Sequence, residues 1–213
     1  MVTRLKCLVL AAMLAACLPA DGKPVATPPP ADVGPDMTVY FGDSLCWDAT
    51  DELTVLYVAD PGRRASINCF GGTQLDTPAW VEKYGFVDDL PSQPGAVVVI
   101  ALGTNDIGLD ANLDITKLQL VDAVTRATNA QASVVVVPNL STTALTGPRL
   151  AKTQQWNTWL WQADDHPGLP TLRVTDFQSC SAGHLDWFKP GDAIHHSLAG
   201  QAAYAQFLYE GSC

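Results

Sequence analysis

From Met37 onward, short runs of β-branched and aromatic residues alternate with longer amphipathic segments. The runs are MTVYFG (37–42), RASINCF (64–70), AVVVIAL (96–102), SVVVVPN (133–139) and TLRVTDF (171–177). Each predicts a strand buried on both faces, because a parallel strand covered by helices on either side reads as a continuous apolar run. Between them, helices are expected over TPAWVEKYGFVDDL (77–90), DITKLQLVDAVTRATN (114–129) and RLAKTQQWNTWLWQADD (149–165), and SLAGQAAYAQFLYE (197–210) closes the chain. Helical spacing puts Leu118, Val121 and Val124 on one apolar face, and Leu198, Ala202, Ala205 and Leu208 on another. Trp156 and Trp159 share a face that belongs in the core. The stretches 45–63, 107–114 and 141–150 read as loops. Strands taking turns with helices predict an α/β fold, a three-layer α/β/α sandwich with right-handed crossovers. In such a sheet the ligand chemistry belongs at the C-terminal ends of the strands.

The first residues have a different texture. MVTRLKCLVLAAMLAAC places Arg4 and Lys6 ahead of an apolar run that stops at Cys17. That run is shorter than the roughly 20 residues needed to span a bilayer and fits the roughly 7–15 of a secretory signal. Its end, Leu14-Ala15-Ala16-Cys17, resembles the lipobox of bacterial lipoproteins, in which the cysteine is acylated and becomes the new first residue. The alternative is a simple secretory signal cleaved near Ala16 or Ala20. Residues 1–16 are thus expected to be a signal peptide. Residues 17–36, rich in Pro and Ala, follow as a lipidated Cys17 and an extended tether, and residues 37–213 as one folded domain.

Composition narrows the class. The 213 residues are 47% hydrophobic and 16% charged, too apolar for intrinsic disorder. A formal charge of −10 argues against nucleic acid as a partner. Loss of residues 1–16 removes two cations and no acid and makes the balance more acidic still, so a membrane anchor has to be acyl chains rather than a basic patch. The chain has no His-Glu-x-x-His, no Cys-x-x-Cys, no phosphate-binding glycine loop and no Gly-x-Ser-x-Gly elbow, so neither a metal nor an organic cofactor is expected.

The strand ends carry the candidate chemistry. The first runs into Gly42-Asp43-Ser44-Leu45, where a serine at a strand-to-helix turn can act as a nucleophile; the same residues also make ordinary turns. The third ends in Gly103-Thr104-Asn105-Asp106, and the Asn105 amide can donate to a developing oxyanion or simply cap a helix. The second ends in Asn68-Cys69-Phe70-Gly71-Gly72, which offers a further backbone N–H at Gly72, with Gly71 the alternative. Before the last helix, Asp192-Ala193-Ile194-His195 has the spacing for a carboxylate to orient an imidazole as general base. Trp47 and Trp187 can line a pocket or pack, and the sequon at Asn139 reads as incidental.

These four blocks, in this order, resemble the SGNH hydrolase superfamily, also called the GDSL lipase/esterase family. The resemblance spans residues 37–213 and implies Ser44 as nucleophile, His195 as base and Asp192 as its orienting acid. It further implies an oxyanion hole from Ser44, Gly72 and Asn105. The glycine block departs from the family spacing by about one residue. The expected sheet is flavodoxin-like, five parallel strands in the order 2-1-3-4-5. With strands 1 and 2 adjacent, Cys46 and Cys69 lie near neighbouring ends and are expected to form a disulfide, which leaves Cys180 with Cys213; free buried thiols are the alternative. The resemblance implies an exported, lipid-anchored serine esterase without cofactors, acting on a small acyl ester, a lipid or an acetylated glycan. An O-acyltransferase and a non-catalytic glycan- or lipid-binding lipoprotein are the alternatives. Oligomeric state is not legible.

Overall fold

All five expected strands form in the computed structural model, which describes residues 37–75, 94–108 and 112–213. The expected signal peptide, Cys17, the expected tether and the expected helix at 77–90 lie outside the described residues. Strands β1 (Met37–Gly42), β2 (Arg64–Cys69), β3 (Val97–Ala101), β4 (Val134–Pro138) and β5 (Leu172–Thr175) make one sheet in the order β2-β1-β3-β4-β5. Every pairing is parallel. Strand β1, interior to the sheet between β2 and β3, is buried along its whole length, as its unbroken apolar pattern requires.

Alternation along β1 divides the core in two. Met37, Val39 and Phe41 join Val98, Ile100, Val135 and Val137 on one face, covered by helices α4 (Leu113–Asn129) and α5 (Gly147–Asp164). Tyr40, Val99 and Ala101 face the other way, towards Leu53 and Tyr57 of α2 (Thr50–Ala59) and Tyr204, Phe207 and Leu208 of α7 (Leu198–Glu210). Three short helices occupy the strand ends: α1 (Ser44–Asp48), α3 (Thr104–Gly108) and α6 (Phe177–Ser181).

Two expected helix faces are rotated. On α4 the buried residues are Thr116, Leu120, Ala123, Val124 and Ala127, while Leu118 is exposed. On α7, Gly200, Tyr204, Ala205, Phe207 and Leu208 are buried, and Leu198 and Ala202 face solvent. Small residues let each helix approach the sheet closely, so they outcompete a larger apolar side chain one step away. The stretch 45–63 is largely helical rather than loop.

Both expected disulfides are present, Cys46–Cys69 and Cys180–Cys213. The first joins α1 to the end of β2. Its sulfurs press on the sheet: a Cβ at Gly42 would lie 2.8 Å from the Cys46 sulfur, so only glycine fits there. Asn139 is buried, donating to Asp176 and accepting from the Gln178 N–H. It is a loop anchor inside the fold.

Trp156 is fully buried beneath the end of β3, its ring 3.4 Å from where a Cβ on Gly103 would stand. Trp156→Ala is expected to lower the unfolding free energy by about 3–5 kcal/mol in urea titration. A loss below about 1 kcal/mol would contradict this packing role.

Candidate active site

Strands β2, β1 and β3 end nearly flush. Gly42 pairs with Cys69 on one side and with Ala101 on the other, so the residues that follow each strand emerge at one rim. Ser44 opens α1 there, with Asp43 as the cap: the Asp43 Oδ1 accepts the Leu45 N–H at 3.0 Å. The cap starts the helix directly at Ser44 and fixes where its hydroxyl stands.

His195 reaches Ser44 across the rim, its Nε2 3.1 Å from the Ser44 Oγ. The other ring nitrogen, Nδ1, lies 2.7 Å from the Asp192 Oδ2. Asp192 Oδ1 meanwhile accepts the backbone N–H groups of Ile194 and His195. Partial burial pushes this carboxyl upward, but the hydrogen bonds from the His195 ring and the two backbone groups, with the charge of the imidazole, hold it below the usual carboxylate range. An ionised Asp192 keeps the proton on Nδ1 and leaves the Nε2 lone pair facing the serine.

The loop carrying this pair is braced on itself and on α7. Lys189 N–H donates to the His195 carbonyl, Ser197 N–H to the Trp187 carbonyl, and Phe188 and His196 form an antiparallel bridge. Gly200 permits the contact, since a Cβ there would meet the Trp187 carbonyl oxygen at 2.0 Å. His195 faces Ser44, while its neighbour His196 turns inward among Phe177, Phe188 and Tyr204. Trp187 packs on Phe177 and His184 in this same framework.

Asn105 and the glycine loop meet opposite. Residues 70–73 form a tight turn closed by the Thr73 N–H on the Phe70 carbonyl, with Gly72 at φ +80°. A second central residue at positive φ is what a type II turn demands, and glycine supplies it. The turn's own bond uses the N–H of Thr73, not that of Gly72. The Asn105 Nδ2 donates to the Thr73 carbonyl at 3.0 Å, and both Asp106 oxygens accept the Leu75 N–H. An amide nitrogen has two hydrogens, so one holds the glycine loop and the other is left for a ligand. Trp47, three residues beyond Ser44, is 55% exposed and lies against Phe70.

Asp106, Asp43 and His196 are buried groups that spacing did not single out. Burial drives the Asp43 carboxyl up to about 7, with the nearby Asp106 charge adding to it and the Leu45 N–H opposing. Burial drives His196 down to about 4, and among the described residues neither of its ring nitrogens has a hydrogen-bond partner. Among the described residues no group of three His, Cys, Asp or Glu side chains is placed to hold a metal ion.

The GDSL-like lipase/acylhydrolase family matches residues 38–203. Among solved structures, the chain is similar to a GDSL-like lipase from Bacteroides thetaiotaomicron, with TM-score 0.65 and 15% identity over 95% of each chain. It is similar to the esterase EstA from Pseudoalteromonas sp., with TM-score 0.62 and 17% identity over 83% of this chain and 96% of that one. The C-terminal catalytic domain of Streptococcus pneumoniae peptidoglycan O-acetyltransferase A gives TM-score 0.59 and 18% identity over 83% of this chain and 92% of that one. Among curated proteins none is significantly similar in sequence.

The buried histidine generates a pH prediction. A folded pKa below the ordinary 6.5 means that the unfolded chain binds the His196 proton first, so stability falls as pH drops from about 6.5 towards about 4. Asp43 has the opposite sign: the folded state holds its proton longer, and that contribution is lost as pH rises towards about 7. His196→Phe should therefore gain stability relative to the wild type on acidification through the first window. Urea unfolding at a series of pH values checks it, and parallel profiles for the two proteins would contradict it.

Proposed function

The chain belongs to the GDSL-like lipase/acylhydrolase family, and from that premise we propose an exported serine esterase that cleaves carboxylic esters through an acyl-enzyme intermediate. The observation that carries the reading is the unbroken relay from the Ser44 Oγ through His195 to Asp192, at 3.1 and 2.7 Å. In the proposed reaction the Ser44 oxygen attacks the ester carbonyl carbon while His195 Nε2 takes its proton. The carbonyl π-bond opens onto oxygen. That oxyanion is held by the backbone N–H groups of Ser44 and Gly72 and by the free hydrogen of the Asn105 amide. The tetrahedral intermediate then breaks its bond to the alcohol, which leaves with the proton from His195, and the acyl group stays on Ser44. Water, deprotonated by the same imidazole, repeats the sequence and frees the acid. Asp192 stays ionised throughout and keeps the imidazole in the tautomer that both half-reactions need. None of these steps calls on a metal or an organic cofactor.

Export is supported by chemistry as well as by the leader. Two disulfides suit an oxidising compartment, and Cys46–Cys69 ties the nucleophile's helix to the strand that leads into the glycine loop. We place the protein in the bacterial envelope, held by acyl chains on Cys17. A second outcome of the same intermediate is acyl transfer to a sugar hydroxyl in place of water. It is favoured by the exposed Trp47 beside the nucleophile and by the likeness to a peptidoglycan O-acetyltransferase domain.

Ser44→Ala should lose hydrolysis of acetyl aryl esters by at least about 10³-fold and lose labelling by a fluorophosphonate. Folded Ser44→Ala with unchanged activity would sink the mechanism, and wild-type protein that is never labelled would favour a non-catalytic binding role. Asn105→Ala should cost about 10²–10³ in kcat. A change confined to KM would contradict its place in the oxyanion hole.

A further inference from the structure

A cavity lies under the rim that carries the proposed nucleophile, reaching inward to His196 and Tyr204. Leu45, Thr104 and Ile194, immediate chain neighbours of Ser44, Asn105 and His195, all border it. Its described walls are mainly apolar: besides Leu45 and Ile194, Ile107, Leu140, Leu145 and Phe188 contribute. The space is small. About 30 Å³ is open to the centre of a water-sized sphere, where roughly 10–15 Å³ on that measure holds one water. Two or three small groups fill it.

Arg149, from the first turn of α5, lies across this space. Its Nη2 donates to the Thr104 carbonyl at 3.1 Å, which fastens the guanidinium to the helix carrying Asn105. The path exists because residue 108 is glycine: a Cβ there would stand 2.5 Å from the same nitrogen. The guanidinium thus runs between α3 and α5 and forms one wall of the cavity. A charged group that has lost part of its water is a poor neighbour for a hydrocarbon tail.

We propose that this cavity receives the acyl group and that Arg149 closes it, restricting the enzyme to acetyl and propionyl esters. The proposal rests on the acyl-enzyme reading above and narrows its substrate class. With the carbonyl carbon on Ser44, the first methyl or ethyl group occupies the cavity between Leu45, Ile107 and Ile194. A longer tail meets the Arg149 stem and guanidinium. Arg149 is accordingly a specificity-determining residue that plays no part in proton transfer, and its removal changes which acyl groups fit rather than whether the chemistry runs.

The test is the ratio of kcat/KM for hexanoyl over acetyl aryl esters, measured on the full exported chain. The wild type should favour acetyl strongly. Arg149→Ala should raise the hexanoyl-to-acetyl ratio roughly tenfold or more, the scale of two newly buried methylenes, while fluorophosphonate labelling of Ser44 persists. Leu145→Ala, in the turn that leads into α5 and also bordering the cavity, should move the ratio in the same direction and serves if Arg149→Ala does not fold. A wild type that hydrolyses hexanoyl and acetyl esters equally well, or folded variants with an unchanged ratio, would overturn the pocket assignment while leaving the esterase reading intact. Absence of any Ser44-dependent hydrolysis would overturn the two together.

Discussion

The parallel pairing of β1 with β2 and β3 is the constraint on which the rest depends. Gly42 stands opposite Cys69 and Ala101, so three strands deliver their following residues to one line. A serine, a glycine turn and an asparagine, separated by tens of residues in sequence, thereby become neighbours. Slipping any of these strands by one residue would turn its apolar side chains to the wrong face as well as displace its functional residue. Burial on both faces of β1 makes that slip costly, and the same hydrophobic effect that holds the sheet sets the register of the rim.

Beyond the strand ends the rim is held by directional bonds. Asn105 and Asp106 tether residues 73–75, and the Cys46–Cys69 bridge ties α1 to β2. On the far side, the Asp192–His195 loop folds back on itself and rests its Trp187 carbonyl against Gly200. Each tether removes freedom that a reactive complex would otherwise lose on forming, which is how a small domain can hold the proposed oxyanion donors and base in place before substrate arrives. His196 shows the inward half of that loop: it packs among aromatic rings as a neutral group, while its neighbour keeps the outward position facing Ser44.

Much of this was legible in the chain. Valine-rich runs give the strands to within a residue or two, because burial on both faces leaves little else for those segments to be. The four motif blocks point to Ser44, Asn105 and His195 through the family resemblance they carry, and the fold brings Ser44 and His195 within hydrogen-bond distance. Helix faces were less legible: Thr116, Ala123 and Ala127 carry the contact of α4 with the sheet, and their small side chains stand out less than Leu118, which faces solvent. The segment TDELTVLYVA reads as loop because Val55 and Val58 place apolar residues on its exposed side and blur the helical period. Arg149 gave no signal at all. Its position depends on a carbonyl of Thr104 and on the missing side chain of Gly108, a relation to a helix some forty residues earlier in the chain that no local pattern encodes.

The central claim is a covalent ester on Ser44, made at a rim that the sheet preassembles. Acid quenching of the enzyme during turnover of an acetyl aryl ester, followed by peptide mass mapping, observes that species directly. The account predicts one added acetyl group on the peptide containing Ser44, absent in His195→Ala. An unmodified Ser44 peptide throughout rapid turnover, or the acetyl group on another residue, would contradict it.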